Sequence, residues 1–487
     1  MASPQPQSTS AFPAPAAGDD NRAMNAPLHA ALPPLDPAPL ATPFDPAPFV
    51  ARRRRLLERM AATGGGVAVV PTAPEKLRNR DTHYPYRADS YFWYLTGFGE
   101  PEAVLVLVAD PAHPEGGRSL LFCREKNEER EIWDGYRHGP AAAQGAFAVD
   151  EAHPIGELDA QLPDLLGDQP ALWHTLGVDS YWDERLAAAI NTVRTRSRAG
   201  IRAPGEIRDL RQVLDALRLV KDASELALMQ RAADIASLAH RRAMARTRPG
   251  LAEFQIEAEL FHDFRLRGAD GHSYPPIVAG GKNACVLHYV ENNAVLKDGD
   301  LLLIDAGCEV AGYASDITRT YPVNGRFSPA QKDVYEIVLA AQLAAIDTIK
   351  PGATFQNPHA AALRVLTQGL VDLKLLSGDI DSLIESEAYK PWYMHRTGHW
   401  LGLDVHDAGD YKRPVEGGGS DWMPLEPGMV LTVEPGLYIR PADKVPEALW
   451  NIGIRIEDDV AVTAAGCHVL TSPPKTVAEI EEVMAHG

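Results

Sequence analysis

The sequence predicts two α/β domains, the second assembled from an internal duplication, and three observations lead there. Short apolar runs alternate with helical stretches from about Pro48 to Leu210. The region beyond repeats its own pattern in three consecutive places. The 487 residues, 45% hydrophobic and 23% charged, have ordinary globular composition and are enough for more than one core.

Residues 1–47 are dominated by Pro, Ala, Ser and small polar residues, without a charged segment followed by an apolar one, and read as a disordered leader. The run Arg52 to Arg55 precedes Leu56, Leu57 and Met60 at helical spacing. A solvated helix face is expected rather than a nucleic-acid patch, because a formal net charge of -19 repels polyanions and anionic membranes alike. No apolar run approaches the roughly 18 residues of a membrane span. Cys123, Cys285, Cys308 and Cys467 are widely spaced with no CxxC, which points to free thiols in a reducing cytoplasm.

Residues 48–212 form the expected first domain, with Val67 to Val70, Ala103 to Ala109 and Ser119 to Phe122 as buried strands. The second domain, 213–487, opens with a helix near Asp222. Asp222 and Glu225 have capping-box spacing, and Leu228, Ala232, Ile235 and Ala239 mark one apolar stripe.

The duplication lies in that second domain. Arg248-Pro249-Gly250 with Phe254-Gln255 matches Lys350-Pro351-Gly352 with Phe355-Gln356, each ending one helix and opening another. The stretch from Leu296 to Gly307 matches the stretch from Leu425 to Gly436, each a turn and an apolar strand closed by a carboxylate, Asp305 or Glu434. Gly312 stands four residues before Asp316, as Gly453 does before Glu457. Each half thus supplies two carboxylates.

Any one of these acids has an ordinary explanation, a strand-end turn or an arginine partner such as Arg319 or Arg455. Four together do not. Facing halves would bring Asp305, Asp316, Glu434 and Glu457 into one place, where like charges cannot all ionise without cations between them. Two divalent ions satisfy that requirement, and an oxygen-rich donor set without thiolate suits manganese above zinc. A nitrogen ligand is expected from the cluster His395, His399 and His406, which Gly398 and Gly402 place on a strand or loop rather than a helix.

The segments Tyr313 to Thr320, Gly398 to Asp407, Val433 to Tyr438 and Ile454 to Asp459 closely resemble those of aminopeptidase P, the Xaa-Pro aminopeptidases. So do Asp89 to Phe98 and Glu131-Ile132-Trp133 in the first domain. The resemblance runs from about Pro48 to the end. It implies a C-terminal pita-bread fold with pseudo-twofold duplication behind a creatinase-like N-terminal α/β domain. It also implies two manganese ions per chain, zinc, cobalt or magnesium being alternatives.

In that family pattern Asp305, Asp316, His399, Glu434 and Glu457 are the ligands; Asp316 and Glu457 bridge the ions, while Asp305 and His399 each hold one. Glu434 shuttles a proton from a bridging water to the leaving nitrogen of proline, and His288, His395 and His406 orient substrate and stabilise the tetrahedral centre. Tyr438 and Arg455 are further substrate-binding candidates. Trp133 resembles a residue that packs on the proline ring across a subunit boundary, although core or interface packing also accounts for it. Arg396 stands where relatives commonly have glycine, which bears on the shape and charge of the substrate pocket.

The expected partners are peptides with proline second and further copies of the chain, as a dimer or tetramer. The nearest rival is a prolidase, confined to dipeptides; Trp400 and Trp133 argue against it. Methionine aminopeptidases normally lack so long a first domain, and creatinase uses the fold without metals. A non-catalytic peptide-binding protein on the same fold would be expected to have lost a ligand, and none is missing.

Overall fold

The computed structural model describes residues 44–113 and 116–486, so the leader lies outside the described residues except for its last four positions. Those positions are part of the packed chain. Phe44 lies 5.3 Å from the ring of Phe49 and 5.0 Å from that of Phe147, and the first helix already begins at Ala47.

That helix, Ala47–Ala62, corrects one expectation. Arg52 and Arg53 are not on a solvated face but are 2% and 3% exposed. Arg52 reaches Asp222 at 3.0 Å and lies over the Tyr94 ring. Arg53 donates to the carbonyls of Leu95 at 2.8 Å and Ala148 at 2.6 Å. Helix ends and a capping carboxylate converge on this helix from both lobes, so each buried guanidinium finds acceptors that offset its desolvation.

The N-terminal lobe is built on a six-stranded mixed sheet. Its order is Glu151–Pro154, Gly117–Cys123, Val104–Ala109, Gly66–Pro71, Ala171–Trp173 and Glu206–Arg208. The central strands are continuous apolar runs because both faces are covered. Val67 and Val69 pack against Leu158, Leu162, Ile190 and Val193 on one side. Ala68 and Val70 face the other side, where Leu56, Phe92 and Leu95 share a core with Tyr313, Leu401 and Val430 of the second lobe. The expected boundary between 212 and 213 falls inside the helix Arg211–Leu219, whose Leu214 and Leu217 enter this same shared core.

In the C-terminal lobe the duplication reappears as hydrogen bonds. The helix Ala223–Arg246, capped by Asp222 and Glu225 as the sequence indicated, is followed by Glu253–Leu266; the equivalent pair is Pro329–Asp347 and Gln356–Asp372. In the first half Gly250 N donates to Leu296 O, Leu296 N to Leu251 O and Glu253 N to Ala294 O. In the second half Gly352 N donates to Leu425 O, Leu425 N to Ala353 O and Phe355 N to Met423 O. These bonds tie each helix pair to the turn feeding its strand, Leu301–Asp305 or Val430–Val433.

The return strands depart from the simple duplication. Asp305 opposes Thr318, while Val433 opposes Asp458, so the residue opposite Glu434 is Glu457. Glu457 is therefore the counterpart of Thr318, two residues beyond Asp316, and the equal glycine spacing does not mark equivalent sheet positions. Thr318 and Glu457 meet at the seam, Glu457 N donating to Thr318 O and Thr318 Oγ1 to Glu457 Oε2 at 2.6 Å.

Arg319 closes this seam. With its side chain fully buried, it donates to Asp458 Oδ1 and to the Glu457 carbonyl, both at 2.6 Å. Asp458 also receives Lys475 at 2.6 Å and Gln342 at 2.8 Å. Among the described residues no helix is long and apolar enough to cross a membrane, and the four cysteines are free.

Removing one partner of this buried pair leaves an uncompensated charge. Asp458→Asn is expected to destabilise the protein by about 3 to 5 kcal/mol, read as a lowered Tm in scanning calorimetry. Burial alone would raise the Asp458 carboxyl, but Arg319 and Lys475 hold it down to about 2. Its folded value lies below an ordinary unfolded one, so its stabilising contribution is complete above about pH 4 and disappears as pH falls through 2. Stability of the variant should vary less with pH over that window; an unchanged Tm and unchanged acid profile would contradict this account.

Candidate active site

Asp305 ends the strand Leu301–Asp305, and Asp316 precedes its return strand. The two are drawn together by Gly307, where a Cβ would lie 1.7 Å from Ser315 O. Glu434 follows Val430–Val433, and Glu457 precedes Asp458–Thr463. His399 lies on an irregular segment laid along Val430–Val433: Thr432 N donates to His399 O at 2.9 Å, Glu434 N to Thr397 O at 2.8 Å and Leu401 N to Val430 O at 3.1 Å. Gly398 permits that approach, since a Cβ there would meet Thr432 O at 2.0 Å.

The five side chains share one largely buried cleft. Donor atoms of Asp316, His399 and Glu457 lie within 4.8 Å of one another, a spacing that fits a metal ion. His399 Nε2 is 3.4 Å from Asp316 Oδ2 and 3.7 Å from Glu434 Oε1. Its other ring nitrogen, Nδ1, is 3.0 Å from Trp400 O. A carbonyl only accepts, so Nδ1 carries the proton and Nε2 is the nitrogen turned toward the acids, the arrangement a histidine ligand requires.

The electrostatics of the cleft are those of crowded acids. Burial, reinforced by Asp316, Glu434 and Asp305, pushes Glu457 well above the carboxylate range. Burial raises Glu434 to about 7 against the pull of His399 and Arg455, and raises Asp305 as well. For Asp316, burial is outweighed chiefly by the His399 hydrogen bond, and its carboxyl is lowered. His399 is raised to about 9: burial lowers it, but Asp316 and Glu434 prevail. The arginine partner considered for Asp305 does exist, Arg455 at 2.7 Å. One guanidinium does not neutralise four acids, so this donor set fits divalent cations.

His395 is tied differently from its neighbours. Its Nδ1 is 2.6 Å from Arg396 O and its Nε2 is 2.8 Å from Tyr438 Oη. Burial, with Arg455 nearby, lowers its pKa to about 3, so it is neutral with a single N–H. That N–H must serve the Arg396 carbonyl; Tyr438 donates to Nε2 and accepts from Arg455 Nη1 at 2.9 Å. Both ring nitrogens are committed, leaving His395 to orient Tyr438 and Arg455.

His288 and His406 are exposed at the same cleft. His406 lies edge-on to His399 at 4.2 Å between centroids, and His288 is close enough to influence both His395 and His406. His406 makes no bond to the adjacent Asp407, whose carboxylate instead binds Lys221 at 2.9 Å and Arg218 at 2.6 Å.

Ten of the eleven residues singled out in the sequence therefore meet here. Trp133 does not: it is 83% exposed on the helix Glu128–Asp134, beside exposed Ile132 and Tyr136, and is no part of this chain's core. Arg396 lies over the Trp422 ring at 4.7 Å and bonds Gln356, which turns its charge onto that aromatic neighbour.

Sequence reasoning missed Tyr274 and Thr318. Tyr274 Oη is 2.6 Å from Asp305 Oδ1 and 2.5 Å from Asp316 Oδ1, so its hydroxyl sits between the two acids of the first half. Nothing in its spacing marks it; the neighbouring Pro275-Pro276 signals only a stiff turn.

Comparison with known proteins places the chain in a family. Residues 227–464 match metallopeptidase family M24, and residues 49–173 match the aminopeptidase P N-terminal domain. The chain is 45% identical to the Xaa-Pro aminopeptidase of Escherichia coli, over 90% of this chain and 97% of that one. Among solved structures, Pseudomonas aeruginosa aminopeptidase PepP aligns with a TM-score of 0.87 at 51% identity, covering 91% of this chain and 98% of that one. Escherichia coli aminopeptidase P with the inhibitor Pro-Leu aligns at 0.85 with 44% identity, covering 91% and 98%. With both domains matched in order and nearly the whole of each relative covered, the chain belongs to the Xaa-Pro aminopeptidase family of M24 metallopeptidases.

Proposed function

We propose that the protein hydrolyses the N-terminal Xaa-Pro bond of peptides, with two divalent cations held by Asp305, Asp316, His399, Glu434 and Glu457. The observation that carries this reading is the convergence of four acids and one correctly oriented imidazole on a cleft where, among the described residues, Arg455 alone is the arginine that balances them. An oxygen-rich set favours manganese, with zinc, cobalt and magnesium as substitutes.

Bound divalent cations supply an acidified water as nucleophile and polarise the scissile carbonyl. Glu434, a carboxylate in the same cleft as Asp316 and His399, is placed to take a proton from that water and pass it to the departing proline nitrogen, a tertiary amide that leaves only when protonated. His288 and His406, whose rings are not tied down as His395 is, donate to the oxygen that gains charge. The sequence from His395 through Tyr438 to Arg455 fixes the guanidinium beside Asp305. Trp133 points away from its own core and serves a neighbouring subunit's substrate, in a dimer or tetramer. The free cysteines accord with a cytoplasmic setting.

The direct test is a peptide panel after manganese reconstitution. An Xaa-Pro-Yaa tripeptide should be cut after Xaa, its alanine analogue far more slowly, and chelation should abolish both activities. About two equivalents of metal per chain are expected in the active protein. Hydrolysis of dipeptides alone would make a prolidase the better description, and full activity in verified metal-free protein would remove the proposal.

Metal affinity should depend on pH with a defined sign. His399, raised to about 9, and Glu434, raised to about 7, carry protons that must leave before a cation binds. Manganese uptake measured by calorimetry should release protons near neutrality, and affinity should weaken as pH falls below 9 and more steeply below 7. Affinity that does not change between pH 6 and 9 would contradict this.

Two variants separate the histidines. His399→Ala should lower metal occupancy at limiting manganese, with partial recovery of activity at high manganese. His406→Ala should keep its metal and lose about 100 to 1,000-fold in kcat without rescue. Equal loss of metal in both variants would show that the division of roles is wrong.

A further inference from the structure

His288 has no hydrogen-bond partner for its ring among the described residues, so its place in the cleft is set by its backbone. That backbone belongs to the arch 280–294, which leaves the strand Ile277–Gly280, passes through the short helical turn Gly281–Cys285 and returns toward Val295. Both feet of the arch, and the residue next to His288, bind one carboxylate from another element.

The carboxylate is Glu253, the first residue of the helix Glu253–Leu266, with no exposed surface. Its Oε1 accepts from Gly280 N at 2.7 Å and Asn283 Nδ2 at 3.0 Å, where the arch begins. Its Oε2 accepts from Tyr289 Oη and Ala294 N, each at 2.8 Å. Glu253 N in turn donates to Ala294 O at 2.9 Å. A buried carboxylate with four donors is fully satisfied. One turn on, Glu257 accepts from Asn292 Nδ2 at 2.9 Å, and Asn292 Oδ1 accepts from Val278 N at 2.9 Å. Asn292 has φ 45°, a left-handed conformation that these bonds hold in place.

We propose that Glu253 is a positioning residue for the reaction, setting His288 in the cleft through Tyr289 and the two feet of its arch. This rests on the role given above to His288 as a donor to the substrate. Tyr289 is the most direct link, because its hydroxyl carries the neighbour of His288 onto Glu253 Oε2. Removal of that bond leaves the arch anchored at its ends but free to shift at its crown, where displacement of a catalytic group by about 1 Å can cost 100-fold in rate.

The test is a double-mutant cycle in the manganese-loaded, full-length enzyme on an Xaa-Pro-Yaa peptide. Tyr289→Phe deletes one hydroxyl and keeps the ring; Glu253→Gln keeps the shape and removes acceptor capacity. Each is expected to lower kcat/KM by about 10-fold or more with metal content unchanged. In a His288→Ala background neither should lower it further, since the group they position is gone. If Tyr289→Phe costs as much with His288 absent as with it present, Glu253 acts through something else and the proposal fails. If His288→Ala is itself silent, the role given to His288 fails and takes this proposal with it. Should Glu253→Gln not fold, Tyr289→Phe alone completes the cycle, because its single lost hydroxyl spares the other three bonds.

Discussion

The constraint on which this structure depends is the confinement of four carboxylates in one buried cleft. At a few ångströms, in a medium of low effective dielectric, such groups cannot all remain charged. The protein supplies partial answers in Arg455 beside Asp305, the Tyr274 hydroxyl between Asp305 and Asp316, and Thr318 against Glu457. None of these neutralises the set. Burial and mutual repulsion still raise Glu457 and Glu434 above the carboxylate range, and the acids around His399 raise it in turn. Acids crowded in this way favour divalent cations, and the rest of the lobe keeps the five donors from separating.

The duplication makes this confinement possible. Each half brings a helix pair, a turn and a strand ending in an acid, and repeats the same three backbone bonds between helix start and turn. Two halves facing each other would repel at the acids, so the seam must attract elsewhere. Arg319 from one half and Asp458 from the other provide that attraction one residue beyond the Thr318 and Glu457 contact. The two-residue offset between Asp316 and Glu457 is consistent with the same demand. If Thr318 were a third acid at the seam it would face Glu457 directly, whereas a hydroxyl there can donate to it.

Much of this was legible in the sequence because the chain repeats itself. Strand-end acids recur against a background of apolar residues, and the glycines beside His399 place it on a strand or loop rather than a helix. What was not legible depends on non-local contacts. Tyr274 has no counterpart in the repeat, and its role appears only when two strands place Asp305 and Asp316 on either side of its hydroxyl. His395 and His399 look alike in sequence; the acceptors next to each ring separate a residue with both nitrogens tied from one whose Nε2 faces the acids. The burial of Arg52 and Arg53 was misjudged because the acceptors that satisfy them come from Tyr94, Leu95, Ala148 and Asp222, far along the chain.

Those long-range contacts also explain why the N-terminal lobe carries residues resembling an enzyme family although it contributes no acid to the cleft. Arg87 donates to Glu309 at 2.9 Å, to Gly312 O at 3.3 Å and to Leu403 O at 2.5 Å. Trp93 Nε1 donates to Ala311 O at 3.0 Å, and Ser90 Oγ to Asp404 at 2.6 Å. Residues 309–312 lead into Asp316, and residues 403–404 lead into His406. Three residues of one short stretch thus hold the approaches to a carboxylate from the first half and to a histidine from the second. The two approaches are joined directly by Ala314 N donating to Gly402 O at 2.8 Å. Because the shared apolar core also runs beneath this stretch, movement of the lobe would disturb both approaches together, and the N-terminal lobe acts as part of the frame that fixes the cleft.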